Sequence, residues 1–384
     1  MPPRIDQHLQ QLIDLRHKLH SIAEVSGSES ETAAVITNFL KKTSPDELQT
    51  GVGGEGILAT YGRNPNHPHI LLRCELDALP IPDVNDLDYR SQTEGVGHKC
   101  GHDGHMSILC GVACLLQDEK PGAKVTLLFQ PAEETGEGAR KMMDDEKFQN
   151  LQADYCFALH NLPGYKKHQI VVKDDVFAAA SIGLTIQFKG ETSHAAHPEQ
   201  GKSPALAMCQ LIQALSSVPQ FHTPMNKSAK VTVVHAEMGE LAFGTSPGKA
   251  TISATLRTWQ DEVLELLKKE CLQLAMGLAK TYSLEMNHEW SESFSSTINN
   301  AEAVRMIKKS AEGLKFEMKK KKYPFEWSED FGHFTKKIPG AMFGLGSGKE
   351  HPPLHAENYD FPDEVIPTGV SMFMQIIKEV TEHK

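Results

Sequence analysis

No stretch of about 18 consecutive apolar residues occurs in this 384-residue chain, so no membrane-spanning helix is expected. Positive charge is in deficit. Lys and Arg number 39 against 50 Asp and Glu, a formal charge of -11. A nucleic-acid partner needs a basic patch to neutralise phosphates, so that class is set aside. The one basic run, at residues 319–322, stands between Glu317 and Glu326 and reads as a solvated face. Cysteine is too sparse for a disulfide framework. The seven thiols are scattered and odd in number, which suits reduced cysteines in a cytoplasmic protein. The chain has no internal repeat and no low-complexity linker. Its first twenty residues lack an apolar signal core and read as an amphipathic helix.

What the sequence does contain is a change of pattern. At this length two domains are expected rather than one core. Short apolar runs at residues 57–61, 70–74, 125–129 and 155–159 are separated by helical stretches. That is the pattern of buried strands in a mostly parallel sheet. Met106, Leu109, Cys110, Ala113 and Leu116 recur at three- and four-residue steps and form one apolar helix face. From about residue 181 the order becomes strand (182–189), helix (204–216), strands (230–236 and 249–257), helix (262–282) and strand (284–292). This β-α-β-β-α-β order is that of a ferredoxin-like unit. A helix at 301–313 and a strand near 341–345 then return to the first pattern. The expected fold is α/β. A mostly parallel-sheet catalytic domain flanked by helices is built from residues 1–180 and 294–384, and a ferredoxin-like domain is inserted at 181–293.

Reactive side chains gather where the strands end. Glu75 and Asp77 follow the run at 70–74. Glu133 and Glu134 follow 125–129, and His160 closes 155–159. The stretch GHKCGHDGHM, residues 97–106, adds Cys100 and His102, and LHAENY adds His355. In open α/β sheets, ligands bind outside the carboxyl ends of the strands. Cys100, His102, Glu134, His160 and His355 make five thiolate, imidazole and carboxylate donors, more than one tetrahedral ion takes from protein. A pair of divalent ions sharing a bridging group accommodates them. Glu133 is then left beside a ligand, where a carboxylate can take a proton from a metal-bound water. Taken singly, each residue has a plainer reading. The loop can be a polar surface loop, and His160 a core histidine. Glu133 and Glu134 can open a helix, and Asp103 can cap one. His98 and His105 can be structural. The joint placement favours the metal site.

Eight ordered motifs carry a resemblance that runs nearly end to end. They are LRHKLHSIAEVSGSESET, RCELDALPI, GHKCGHDGHM, LLFQPAEETGEGA, ALHNLP, GETSHAAHPEQGKSPA, SEDFGHF and LHAENYDFPDEVIPTG. The chain resembles the aminoacylase/carboxypeptidase clan of dinuclear metallohydrolases. It is most similar to the amidohydrolase branch with hippurate hydrolases, auxin-amino-acid conjugate hydrolases and N-acetyl-amino-acid deacetylases. The resemblance implies that Cys100 bridges two divalent ions, zinc or manganese first and cobalt or nickel as alternatives. His102, Glu134, His160 and His355 complete their shells. It implies that Glu133 is general base and then acid, that Asp77 orients a ligand, and that His194 polarises the scissile carbonyl. It also implies a lid and dimerisation role for the inserted domain, and hence a homodimer acting on a small amide substrate. Three positions depart from the family pattern. Glu75 stands where aspartate is usual, Gly244 where asparagine is usual, and Trp327 where glycine is usual. The expected activity is hydrolysis of N-acyl amino acids or related conjugates. A dipeptidase on the same scaffold and a non-catalytic metal-binding protein are the alternatives.

Overall fold

The strand His69–Glu75 is buried along its whole length, including the charged Arg73 and Glu75. A strand with no wet face must lie inside a sheet covered on both sides. In the computed structural model, which describes residues 5–118 and 122–382, it pairs in parallel with Lys124–Gln130 on one side and Tyr155–Pro163 on the other. Gly340–Gly348 continues the parallel core beyond Tyr155–Pro163, with Gly344 opposite His160. Antiparallel pairing appears at the margins. Gly56–Tyr61 and Glu47–Val52 extend one side, and Ile170–Val172 joins Gly340–Gly348 on the other. The sheet therefore has eight strands around a parallel centre.

The chain divides into two compact units. The first takes in residues up to Phe177, Thr297–Pro324 and the residues from Asp330. The second is Ala178–Ser296 with Phe325–Glu329. In the first unit the helix His102–Asp118 packs against the helices Leu9–Ser21 and Ile366–Glu382. Every residue from His102 to Leu116 is buried, so this helix is a core element rather than the one-sided helix its periodicity suggests. Ala301–Gly313 begins at Asn300, whose side chain accepts from the N–H groups of Glu302 and Ala303. The basic run at 319–322 falls partly on Met318–Lys320, which pairs in parallel with Ile170–Val172 at the margin of the sheet. Lysines on such an edge discourage pairing with another chain.

The second unit has four long antiparallel strands. Glu285–Phe294 lies beside Asp175–Lys189, then come Lys249–Thr258 and Ala229–Met238. Buried residues alternate along Lys249–Thr258, so one face of the sheet is covered. The helices Ala205–His222 and Asp261–Thr281 cover it, with Leu211, Leu215, Leu267 and Cys271 in the shared core. The first strand begins at Asp175, seven residues before the sequence pattern suggests, because the residues 176–180 that follow are apolar throughout and carry no alternation. Its first half lies next to the end of Glu285–Phe294, with Ser181 opposite Phe294, and its far end, Lys189, lies opposite Glu285. Six of the seven cysteines are buried, Cys209 is exposed, and all are free thiols. Among the described residues no helix is long and apolar enough to cross a membrane.

Candidate metal centre

Sharp turns with left-handed backbone deliver the reactive side chains. Gly101 has φ +88, and a Cβ there would meet Asn161 Nδ2 at 2.5 Å and the Tyr359 hydroxyl at 2.8 Å. Glycine is thus required both for the left-handed backbone and for the close approach. This turn presents Cys100 and starts the helix at His102. Ala132 also takes a left-handed backbone, φ 51, at a cost of about 1–2 kcal/mol for a residue with a side chain. Its N–H donates to Glu29 Oε1 at 2.7 Å, which holds the turn that exposes Glu133 and Glu134. His355 has φ 65, and its N–H donates to the Lys99 carbonyl at 2.8 Å. That bond ties the late segment to the glycine-rich loop.

The five sequence-derived donors come together. Cys100, His102 and His160 have donor atoms within 4.8 Å of one another, as do Cys100, Glu134 and His355. Cys100 Sγ lies 3.5 Å from His160 Nε2. Glu134 Oε1 lies 3.9 Å from His102 Nε2 and 3.8 Å from His355 Nε2. Glu133 joins His102 and Glu134 in a further such group. Two imidazoles are oriented from behind. His102 Nδ1–H donates to the Asp77 carbonyl at 2.8 Å, and His160 Nδ1–H donates to the Asn161 carbonyl at 2.8 Å. Both rings therefore turn Nε2 toward the cluster, and the buried Nε2 of His102 has no hydrogen-bond partner. Asp77 reaches further with its carboxylate, which accepts from Ser26 Oγ at 2.6 Å and from the Glu134 N–H at 2.9 Å.

The local field is negative. Burial opposes charge on His102, yet Asp77, Glu75 and Glu134 overcome it and push the pKa up to about 10. Burial, reinforced by Glu134, Glu133 and Glu75, drives the Cys100 thiol well above its usual range. Burial, with help from His105, pushes His160 down to about 3, which keeps it neutral. A neutral imidazole is the form that ligates. A thiol and several carboxylates at close quarters call for a cation, and a metal ion inverts the local pKa order by deprotonating the thiol. The donor set of sulfur, imidazole nitrogen and carboxylate oxygen therefore fits divalent metal ions.

The same loop feeds a second polar cluster. His20 Nδ1 contacts Asp103 Oδ2 at 2.8 Å, and His20 Nε2 contacts Asp83 Oδ2 at 2.9 Å. Lys99 Nζ donates to Asp83 Oδ1 at 2.6 Å. Arg16 donates to Asp360 at 2.6 Å and to Asp363 at 2.7 Å. Asp103 thus lies in the first turn of its helix as an ion-pair partner, not at the cap position. His98, between the clusters in sequence, is buried with neither ring nitrogen hydrogen-bonded, and burial pushes it down to about 3.

Of the other sequence-derived positions, Glu75 lies beside His102 and His105, with ligand atoms within 4.8 Å of one another, and His194, Gly244 and Trp327 belong to the second unit. Glu75 is held by Arg73 Nη1 and by His105 Nδ1, the latter at 2.7 Å. His194 belongs to the second unit, on the short strand Ser193–His194, with its exposed ring accepting from the Ala196 N–H at 3.0 Å. Gly244 in that unit accepts from the Ala195 N–H at 2.9 Å, and a Cβ there would meet nothing within 4 Å. Trp327 lies on Phe325–Ser328, its ring 4.8 Å from Phe325. Sequence reasoning missed Arg73, Gln130, Asn161 and Asp330 as parts of the site. The available signal was a charged residue, Arg73, inside an apolar strand run.

These features agree with what the chain is similar to. An N-acetyl-L-cysteine deacetylase of Bacillus subtilis is 31% identical, over 89% of this chain and 81% of the relative. A hippurate hydrolase of Campylobacter jejuni is 29% identical over 94% of each chain. The solved structure of a Bacillus subtilis dinuclear metal binding peptidase from the M20 family superposes with a TM-score of 0.82, at 25% identity and 99% coverage of both chains. Residues 71–379 match the pattern of one family throughout, and on that match the chain belongs to peptidase family M20/M25/M40.

Proposed function

We propose that this hydrolase cleaves the amide bond of N-acyl amino acids or related conjugates. The reading is supported above all by one observation: five donors from distant segments converge, and Glu133 stands beside them without being needed to complete the set. Cys100, His102, Glu134, His160 and His355 would hold two divalent ions, with zinc or manganese favoured by the mixed donors. When bound, such ions polarise a carbonyl and make water acidic enough to attack at neutral pH. The chain's own residues supply the rest. Glu133 takes a proton from the attacking water and later delivers it to the leaving nitrogen. Asp77 fixes His102 through its carbonyl and steadies Glu134 through its carboxylate. His194 donates to the developing oxyanion of the substrate. The deacetylase and hippurate hydrolase relatives support an N-acyl amino acid as substrate. The chain acts in the cytoplasm as a homodimer, in which the open edge of Ala229–Met238 and the exposed Leu206 and Phe221 meet a second copy.

The test has two parts. Elemental analysis should find two divalent ions per chain. A panel of hippurate, N-acetyl amino acids and dipeptides should show turnover of the first two classes over the third. Glu133→Gln should retain the ions and lose roughly 10²–10⁴-fold in kcat. Preference for dipeptides would move the chain to peptidase chemistry, and ions without any turnover would make it a binding protein.

A further inference from the structure

Arg73 is the anomaly of the central strand. Its guanidinium is fully buried in a run that is otherwise apolar until Glu75. Desolvating such a cation costs several kcal/mol, and a well-packed apolar residue is often as stable in that place. The contacts of Arg73 suggest what it does instead. Nη2 donates to Asp330 Oδ1 at 2.7 Å, Nε to Gln130 Oε1 at 2.9 Å, and Nη1 to Glu75. Asp330 is equally buried, and its second carboxylate oxygen accepts from Gln130 Nε2 at 2.7 Å and from the Ala139 N–H at 2.9 Å. Those two contacts grip the chain just before and just after Glu133. The N–H of Asp330 itself donates to Glu133 Oε1 at 3.3 Å. On the other side, Glu75 passes the connection to His105, and His105 Nε2 accepts from the Asn161 N–H at 3.1 Å. Asn161 Nδ2 donates to the Cys100 carbonyl at 2.7 Å.

We propose that the buried Arg73–Asp330 pair is a positioning device for the carboxylate of Glu133, and that Glu75 and His105 register it against the backbone carrying Cys100. The proposal rests on Glu133 being the proton carrier. It gives the unusual Glu75 a role, since its side chain spans two partners, Arg73 on its own strand and His105 on the adjoining helix. Arg73 and Asp330 touch no reacting atom. They act by fixing where Glu133 Oε1 sits relative to the donors, and a misplacement of about 1 Å at such a position costs about 100-fold in rate.

The experiment is a double-mutant cycle on the full metal-loaded chain, with hippurate and N-acetyl-L-cysteine as the probes. Asp330→Asn puts an amide N–H against the donors of Gln130 and Ala139, or against Arg73 if the amide flips. We expect both ions retained by elemental analysis, KM within about twofold, and kcat lowered roughly 10–100-fold, the range seen when a supporting partner is lost. In a Glu133→Gln background the same change should cost less than about twofold, because it acts through Glu133. Gln130→Glu added to Asp330→Asn relieves the clash at residue 130 while the Ala139 N–H stays opposed, and should recover part of the lost kcat. A crystal structure of Asp330→Asn should show the Glu133 carboxylate displaced while the donors stay in place. If Asp330→Asn does not melt cooperatively, Arg73→Lys carries the same comparison, since it keeps the charge and loses the fork. Equal losses in both backgrounds, lost metal, or an unmoved Glu133 would overturn the clamp while leaving the base intact. Full turnover by metal-loaded Glu133→Gln would remove the base itself, and the clamp with it.

Discussion

Two buried clusters of histidine and carboxylate lie within the first unit, and both draw on GHKCGHDGHM. Around His20, both ring nitrogens meet a carboxylate, and Arg16 and Lys99 supply further positive charge. Around His102, one ring nitrogen is fixed by a carbonyl, and the other lies among Glu134 and Glu133 with no hydrogen-bond partner. His20, Asp103 and Asp360 are close enough together to hold an ion, just as the His102 group is. The difference lies in what is already satisfied. The His20 cluster contains its own cations and is complete as an ion network. The His102 cluster has donors aimed inward and a negative field. Residue type alone does not separate a metal site from a salt-bridge network; the direction of the second imidazole nitrogen does.

Substitution of one histidine in each cluster gives the sharpest test of this contrast. His102→Ala should lose metal by elemental analysis and cut turnover by more than about 100-fold, beyond the loss typical of a supporting partner. His20→Ala should keep the metals but strip one partner from each of two buried carboxylates, leaving Asp83 with the Lys99 cation and Asp103 with Arg16 at 3.5 Å. The expected cost is about 3–5 kcal/mol in urea unfolding. A His20→Ala protein that lost its metals without losing stability would invert the assignment.

The pH dependence of stability separates them more gently. Burial works against charge on His20, but its hydrogen bonds to the carboxylates of Asp103 and Asp83 outweigh it and hold the pKa at about 9, above the usual histidine value of about 6.5. A group raised on folding stabilises fully below its unfolded pKa and loses that contribution as pH rises through the folded one. Unfolding free energy should therefore fall between about pH 6.5 and 9, by roughly 3 kcal/mol from this residue. In His20→Ala that slope should flatten. An unchanged slope would show that His20 is neutral in the folded chain.

Glu134 and His160 were legible because each stands at the end of an apolar run, where a parallel sheet gathers its ligands, while Cys100, His102 and His355 were legible from the residue types packed into GHKCGHDGHM and LHAENY. The alternating order of the second unit was legible for a similar reason, since period-two and helical patterns follow one another without a break. The division of labour within GHKCGHDGHM was not. Cys100 and His102 turn to one cluster, while Lys99 and Asp103 turn to the other. Adjacent side chains on a turn and a new helix point in different directions, and only distant partners such as His20 and Glu134 reveal which is which. The clamp at Arg73 was hidden likewise, because Asp330 lies 257 residues away. The strands Ile170–Val172 and Met318–Lys320 are too short to carry a period.

The second unit leaves and rejoins its sheet through neighbouring strands, with Ser181 facing Phe294. A segment whose ends meet in this way behaves as a cassette. Because Phe325–Glu329 also belongs to this unit, exchanging the unit for the equivalent piece of a relative means carrying that later segment with it.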